Sequence, residues 1–205
     1  MYSQNDEERV ILDFFRGRPP GVLLDLGAYD GSTFSNSRAL IEAGWSAVVI
    51  EPSPWPFGAL VDLHKDHPQV ELVNALILAA GPAGGGLSEF FVTRDATSCT
   101  QAGTTQRWGA DQYRRILVPA VSVDQLHHFL SRETPRRFDF ISVDVEDDTM
   151  PLVRALGATD WLAGVALICL EHTAGGISSE TEMTAYMAAQ GRRVIHRTPE
   201  NLLFA

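Results

Sequence analysis

The stretch LLDLGAYDG, residues 23–31, decides the fold. A short apolar run ends in Asp25 and two glycines, and an amphipathic pattern follows. This order predicts a strand that enters a tight ligand-binding turn before a helix. The usual dinucleotide-binding turn has Gly where this chain has Asp25. Because a carboxylate repels a pyrophosphate and attracts a cation, the turn favours a ligand that carries an amine or a sulfonium.

The rest of the chain alternates between strand and helix patterns. Strands are predicted at residues 22–26, 46–50, 70–78, 90–92, 116–121, 138–145, 165–170, 193–196 and 201–205. Helices are predicted before the first strand, at 35–43, around 151–156, and after the N-cap residues Ser53, Ser122 and Ser179. Strands that are continuous apolar runs indicate a parallel sheet covered on both faces. We therefore expect an α/β fold, a three-layer sandwich with about seven mostly parallel strands and an antiparallel edge strand.

Composition limits the size and the partners of the protein. The chain has 205 residues, of which 45% are hydrophobic and 20% charged, which suits one domain over residues 1–205 with an N-terminal helical segment at 1–20. A formal net charge of −10 disfavours nucleic acid and anionic membranes as partners. The first residues do not resemble a signal peptide, no apolar run has membrane-spanning length, and two cysteines are too few for a disulfide framework. We expect a cytoplasmic protein.

Polar residues follow several of the predicted strands. In an open parallel sheet these positions meet at one edge, where ligands bind. Glu51 lies about 20 residues beyond the glycine turn, where a carboxylate can accept hydrogen bonds from both hydroxyls of a ribose. The alternative is that Glu51 favours the N-terminus of the next helix by its charge. Combined with Asp25, a ribose-binding Glu51 indicates S-adenosylmethionine as the ligand.

Sequence similarity to a known family extends over nearly the whole chain. It is carried by LDLGAYDG at 24–31, FSNSRAL at 34–40, GW at 44–45 and VIEPSP at 49–54, with YSQNDE at 2–7, FDFISVDVE at 138–146 and NLLF at 201–204. These segments resemble the FkbM-type S-adenosylmethionine-dependent methyltransferases. The resemblance implies a class I methyltransferase (Rossmann-like) fold, S-adenosyl-L-methionine as cofactor, and O-methylation of a hydroxyl group on a small molecule or sugar.

The resemblance also implies which residues bind the cofactor. The expected set is Asp25, Gly27, Ala28, Tyr29, Asp30, Gly31, Ser35, Asn36, Glu51, Pro52, Ser53, Asn74, Ala75, Asp144 and Val145. In this set the glycine turn lies along the methionine portion and Glu51 binds the ribose. Asn74 and Ala75 lie near the adenine, and Asp144 lies beside the sulfonium.

A hydroxyl acceptor reacts faster when a positioned base accepts its proton. The candidates are His172, Asp144, Glu146 and Glu171, all at or near predicted strand ends. His172 is the first choice because histidine titrates nearest to neutral pH, and a hydrogen-bonded structural role is its alternative.

Three acidic residues and one long connection complete the predicted site. Glu146, Asp147 and Asp148 could bind Mg²⁺, but we favour Asp148 as a helix cap and Asp147 as a solvated residue, and expect no metal. Residues 93–115 are long for a connection in a compact domain. We expect this segment to form a lid that folds over the acceptor together with Ser3 and Gln4.

The sequence departs from the family pattern after residues 144–146. The family continues with Gly, a variable residue and Glu, whereas this chain has DDT at 147–149. A non-catalytic module that binds S-adenosylmethionine therefore remains an alternative function. A nicotinamide-dependent oxidoreductase is a further alternative, which Asp25 disfavours.

Overall fold

The structure is a computed structural model that describes residues 1–81, 86–93, 113–132, 134–146, 149–174 and 177–205. Its helices are α1 (Glu7–Phe15), α2 (Arg38–Glu42), α3 (Pro54–His64), α4 (Val123–Leu130), α5 (Thr149–Gly157), α6 (Asp160–Gly164) and α7 (Glu180–Ala189). Its strands are β1 (Val22–Leu26), β2 (Ser46–Ile50), β3 (Val70–Val73), β4 (Leu76–Leu78), β5 (Gly86–Val92), β6 (Arg114–Ser122), β7 (Phe140–Val143), β8 (Leu167–Glu171), β9 (Thr173–Ala174), β10 (Ile177–Ser178), β11 (Val194–Arg197) and β12 (Asn201–Phe204).

The main sheet has seven strands in the order β11-β12-β8-β7-β1-β2-β3. The five strands from β8 to β3 are parallel, and at one edge β12 pairs antiparallel with β8 and β11 pairs antiparallel with β12. From β1 the chain proceeds to β2 and β3 on one side, whereas β7 and β8 lie on the other. The strand order therefore reverses between β1 and β7, which is where open α/β sheets bind ligands. The predicted α/β class, the strand number and the antiparallel edge are confirmed.

Alternate residues of the central strands pack against helices on opposite faces of the sheet. Leu24 and Leu26 of β1 belong to a core cluster that also includes residues of α4, α5, α6 and α7. Leu23 belongs to the second cluster, with residues of α1, α2 and α3. Because each fully buried leucine side chain contributes about 2 kcal/mol of transfer free energy, both faces stabilise the sheet. This burial on both faces fixes the carboxyl end of β1 at the middle of the sheet.

The predicted strand 70–78 is wrong, because the chain changes sheet within it. Residues 70–73 form β3 at the edge of the main sheet, whereas residues 76–78 form β4 in a second sheet of order β4-β6-β5. The side chain of Asn74 donates hydrogen bonds to the backbone carbonyls of Glu51 (2.8 Å) and Pro52 (3.3 Å). These bonds hold the crossing point against the end of β2. The extended pieces predicted at 90–92 and 116–121 are longer in the structure and pair antiparallel as β5 and β6.

Hydrogen bonds of serine side chains decide where three of the predicted helices begin. The helix predicted at 35–43 is shorter, because the Ser35 hydroxyl accepts hydrogen bonds from the backbone N–H groups of Ser37 and Arg38. The capping box of Ser122 and Gln125 is confirmed. Ser179 does not cap α7, since its hydroxyl donates to the carbonyl of His172 (3.2 Å).

Of the predicted lid, residues 94–112 lie outside the described residues.

No helix in the described parts of the chain combines the length and the apolar composition that crossing a membrane requires.

Candidate cofactor-binding and active site

A cavity of about 210 Å³ lies at the carboxyl ends of β1, β2, β7 and β8. Among the described residues, its lining contains carboxyl groups but no Lys, Arg or His side chain. The acidic residues of the lining are Asp25, Glu51, Asp144, Glu146, Glu171 and Glu200. Such a lining favours ligands that carry positive charge or many hydrogen-bond donors, and it repels phosphate groups.

The glycine turn after β1 packs directly against the end of β7. Gly27 has a φ of 87°, and its N–H and that of Ala28 both donate to the Ile50 carbonyl at 3.0 Å. A Cβ atom on Gly27 would lie 1.6 Å from the carbonyl oxygen of Asp144. Only glycine fits this close approach, and only glycine adopts this backbone conformation without strain. The turn and Asp144 therefore form one continuous wall of the cavity.

Asp25 lies at the base of the cavity with only 3% of its surface exposed. The Ser37 hydroxyl donates a 2.5 Å hydrogen bond to its Oδ2 atom. Burial raises the pKa of Asp25 to about 6, although hydrogen bonds from Ser37 and Ser142 act in the opposite direction. Because no cationic side chain lines the described part of the cavity, the charged form of Asp25 lacks a counter-ion within the protein. A cationic ligand would supply one.

Glu51 connects two parts of the protein at the end of β2. Its Oε1 atom accepts a hydrogen bond from the N–H of Ser53 (2.6 Å), at the start of α3, and its Oε2 atom accepts from the N–H of Tyr29 (2.9 Å). The same carboxyl group lines the cavity. Burial, together with the charges of Asp25 and Asp144, raises its pKa to about 7. Glu51 therefore joins β2 to the glycine turn while it remains available to a ligand.

The cavity brings together most of the residues predicted to bind the cofactor. The lining includes Asp25, Gly27, Ala28, Tyr29, Ser35, Asn36, Glu51, Pro52, Ala75, Asp144 and Val145. Asn36 is 6% exposed, and no described residue forms a hydrogen bond with its Oδ1 atom. A buried acceptor without a partner is costly, so a ligand with a donor group fits this position.

Four of the predicted residues lie outside the described lining. The carboxylate of Asp30 accepts hydrogen bonds from Ser32 and Thr33 and so closes the turn. Gly31 packs on α3, where an added Cβ would lie 2.6 Å from Leu60 Cδ2. Ser53 is the buried N-cap of α3, and Asn74 holds the crossing point between the two sheets. These residues support the wall of the cavity instead of lining it.

Sequence reasoning missed several lining residues. Leu76, Ile77 and Phe90 come from the second sheet, Ser142 from β7, Thr173 from β9, and Thr33, Phe34 and Glu200 from connections. The second sheet could not be predicted because residues 70–78 show one continuous strand pattern. Glu200 follows Pro199 in a turn signal, but no local pattern indicates that this turn reaches the cavity.

Three carboxyl groups meet on the side of the cavity opposite Glu51. Oxygen atoms of Asp144, Glu146 and Glu171 lie within 4.8 Å of one another. Burial and the charges of Asp144 and Glu146 raise the pKa of Glu171 well above its usual range, so Glu171 is protonated at neutral pH and donates to Asp144. Its Oε2 atom also accepts from the N–H of Glu146 at 3.2 Å. With all three deprotonated, these oxygens could bind a hard cation such as Mg²⁺.

His172 is buried beside this cluster but does not belong to the described lining. Its Nε2 atom lies 3.3 Å from the Thr198 carbonyl, which requires Nε2 to donate. Its Nδ1 atom then accepts from the Ser178 hydroxyl (3.1 Å), while the Thr173 hydroxyl, 3.2 Å from Nδ1, donates to the Pro199 carbonyl. The role of His172 as base remains a prediction, and this geometry favours its structural alternative. Asp147 and Asp148 lie outside the described residues.

Several solved structures have a similar fold. A proposed methylase from Haemophilus influenzae is 13% identical, with a TM-score of 0.50 over 98% of this chain and 88% of that one. A proposed RNA methyltransferase from Pyrococcus horikoshii is 12% identical, with a TM-score of 0.49 over 98% of this chain and 82% of that one. A proposed tRNA methyltransferase from Streptococcus pneumoniae is 16% identical, with a TM-score of 0.48 over 100% of this chain and 70% of that one. At such identities the similarity concerns the fold alone. No curated protein sequence matches the chain.

A family model gives the more specific result. The model described as the methyltransferase FkbM domain matches residues 25–194, from the acidic residue of the glycine turn to the start of β11. The match includes the turn, the strand ends and all three clustered carboxylates, and it confirms the resemblance inferred from the sequence. The chain therefore belongs to the FkbM methyltransferase family.

Proposed function

We propose that this protein uses S-adenosylmethionine to methylate a hydroxyl group of a small molecule or sugar. The observation that carries the proposal is the cavity at the glycine turn, whose described lining contains six carboxyl groups and no basic side chain. S-adenosylmethionine brings an ammonium and a sulfonium group, so it suits this lining better than a pyrophosphate cofactor does. A class I methyltransferase fold, in which such cofactors generally bind, adds support.

The residues present fit this cofactor. The unpartnered Oδ1 atom of Asn36 and the buried carboxyl of Asp25 would accept hydrogen bonds from the ammonium group. Glu51 would accept from the ribose hydroxyls. The close approach of Gly27 to the Asp144 carbonyl joins the turn and the end of β7 into one wall, against which the cofactor would lie. When bound, the cofactor supplies an electrophilic methyl group and its own leaving group.

The clustered carboxyl groups would then accept the acceptor's proton. Asp144 lines the cavity, and burial raises its pKa, which makes its carboxylate a better base than an exposed one. Protonated Glu171 donates to Asp144 and holds it in place. The remaining task of the protein is to align the acceptor oxygen with the methyl group and to exclude water.

Binding and transfer experiments separate this function from its alternatives. Calorimetric titration should show binding of S-adenosylmethionine and S-adenosylhomocysteine but not of NAD. Binding of NAD alone would support an oxidoreductase instead. Methyl-labelled cofactor, incubated with the protein and cell extract, should then give a labelled small molecule. Binding without any labelled product would support the non-catalytic module.

Two variants test the proposed base. Asp144→Asn should lower methyl transfer at least about hundredfold, because the amide cannot accept the proton. Asp62→Asn, on the exposed face of α3, is the matched control and should leave the rate unchanged. Transfer that survives in Asp144→Asn would assign the proton to another group.

The remaining parts of the proposal concern partners and location. An acidic cavity and a net charge of −10 favour a small uncharged or cationic acceptor over nucleic acid. We also propose a single domain located in the cytoplasm.

A further inference from the structure

One side of the cavity mouth is formed by the N-terminal strap, which we define as residues 2–5. Ser3 forms a parallel bridge with Phe34, just after the glycine turn. The Tyr2 hydroxyl donates a 2.8 Å hydrogen bond to Glu42 of α2. These contacts fasten the first part of the strap to the cofactor side of the site.

The other end of the strap is fastened to the β11–β12 loop, residues 198–200. The Asn5 side-chain amide donates a 2.7 Å hydrogen bond to Glu200 Oε2. Directly after the strap, the fully buried Glu7 accepts hydrogen bonds from Thr198 Oγ1 (2.7 Å) and Asn201 Nδ2 (3.1 Å). Burial raises the pKa of Glu7, but these hydrogen bonds outweigh it and hold the pKa below its usual value. Glu7 is therefore a charged anchor between the strap and the loop.

The β11–β12 loop is held from behind by the residues that follow β8. His172 contacts the Thr198 carbonyl through Nε2, and its backbone N–H donates to the Glu200 carbonyl at 2.8 Å. The Thr173 hydroxyl donates to the Pro199 carbonyl at 3.1 Å. Each carbonyl of the loop thus has a donor, so the Glu200 side chain projects from a fixed backbone.

Gln4 differs from its neighbours in the strap. Ser3 and Asn5 have hydrogen-bond partners in the protein, whereas Gln4 is exposed, lines the cavity, and has no hydrogen-bond partner among the described residues. Its amide offers two donors and an acceptor to a ligand. Phe34, which is 50% exposed and bridges to Ser3, and Glu200, which accepts from Asn5, also line the cavity on either side of Gln4 along the strap.

We infer that Gln4 and Glu200 form an acceptor-binding subsite at the mouth of the cavity, for a hydroxyl- or amine-bearing compound that lacks phosphate and carboxylate groups. The inference rests on the proposed methyltransferase function and adds the residues and the charge class of the acceptor. Glu7 and His172 are positioning residues, because they hold the strap and the loop without lining the described cavity.

The chemistry of the subsite sets the class of acceptor. Glu200 and Glu146, which both line the cavity, present carboxylate oxygens, which accept hydrogen bonds from hydroxyl and amine groups and repel anions. The exposed ring of Phe34 offers an apolar face to the carbon skeleton of the same molecule. Glu200 and Asp144 line the same cavity, so the subsite and the proposed base face one ligand space.

The charge class can be tested before the acceptor is known. A water-soluble extract of the source cells is separated on an anion exchanger, and each fraction is incubated with the protein and methyl-labelled S-adenosylmethionine. Label should appear in the fraction that the exchanger does not retain. Label in the retained fraction, which contains phosphorylated metabolites and RNA, would overturn the inference. If no fraction is labelled although S-adenosylhomocysteine binds, the proposed catalytic function fails, and the inference fails with it.

Variants then test the two residues. Gln4→Ala and Glu200→Gln should each lower the initial rate about tenfold at low extract concentration, and less at high concentration, because acceptor binding is weakened. Their affinity for S-adenosylhomocysteine should stay within about twofold of the parent protein. Gln190→Ala and Glu182→Gln, both exposed on or beside α7, are the matched controls. Unchanged rates in both test variants, or a loss of S-adenosylhomocysteine affinity, would contradict an acceptor subsite.

Discussion

The α-carbon of Gly27 lies so close to the carbonyl oxygen of Asp144 that an added Cβ would approach that oxygen to 1.6 Å. The first residue belongs to the turn after β1 and the second follows β7, and these are the strands between which the strand order reverses. Because Gly27 has no side chain, the glycine turn can approach the backbone of Asp144, the proposed base, this closely.

Gly27→Ala should separate the turn from β7 and abolish cofactor binding. A shift of the backbone is required because the clash is with a main-chain atom, and the φ of 87° adds strain. We expect the affinity for S-adenosylhomocysteine, measured by calorimetry, to fall by more than about tenfold. Gly58→Ala is the control, since nothing lies within 4 Å of its added Cβ in the middle of α3. Normal binding by Gly27→Ala would mean that the turn is not part of the cofactor site.

Asp25→Asn should stabilise the free protein while it weakens the cofactor complex. Burial raises the pKa of Asp25 from 3.8 to about 6, so ionisation costs the folded state about 3 kcal/mol once the pH exceeds 6. The variant should gain stability over the parent as the pH rises from 3.8 to 6, as measured by urea unfolding. Asp62→Asn should show no such gain. A pH-independent difference in stability would show that Asp25 does not titrate in this range.

Glu51→Ala should weaken the binding of S-adenosylhomocysteine by about 2 kcal/mol, or about thirtyfold, because two ribose hydroxyls lose their acceptor. Since Glu51 also accepts from the N–H of Tyr29, the variant's fold should be checked by circular dichroism before titration. Glu71→Ala, exposed on β3, serves as the control. Unchanged affinity in a folded Glu51→Ala protein would refute the ribose assignment.

Methyl transfer should not require a divalent cation. Protonation of Glu171 leaves the cluster of Asp144, Glu146 and Glu171 with less negative charge than a cation site of three carboxylates has. The labelled-product assay should therefore give the same rate with and without EDTA. A loss of transfer that Mg²⁺ restores would identify the cluster as a metal site.

Glu7→Gln should destabilise the protein in a pH-dependent manner. The pKa of Glu7 is lower in the folded state than its usual value of 4.5, so its charged form stabilises the fold above pH 4.5. This contribution is lost as the pH falls through the folded-state pKa. At neutral pH the free energy of unfolding of the parent protein, measured in urea, should exceed that of the variant by about 2 kcal/mol. The difference should shrink below pH 4.5. A difference that persists in acid would indicate a packing defect instead.

The sequence predicted the glycine-turn side of the cavity better than the strap side. Strand β1, the glycine turn and strand β2 follow one another closely, so local apolar runs and glycines predict their geometry. Asp25 and Glu51 are placed at the cavity by this local order alone. The roles assigned to them remain predictions until binding is measured.

The rest depends on contacts that no local pattern encodes. Residues 70–78 have the pattern of one strand, but the hydrogen bonds of Asn74 to the end of β2 direct the chain into a second sheet. His172 follows a buried strand as an active-site base would, yet its ring contacts Thr198. Asn5 and Glu200 are 195 residues apart, and nothing in either segment indicates that they pair.

That pairing has a consequence for the order of folding. The glycine turn and Glu51 belong to residues 22–51, which neighbour one another along the chain and close short loops at little entropic cost. The other side of the cavity requires the strap to meet the β11–β12 loop at the far end of the chain. Closing this long loop is the entropically slower step. A nascent or partly folded molecule can therefore hold the glycine turn in place while the strap side of the cavity is still open, so the proposed acceptor subsite is completed last.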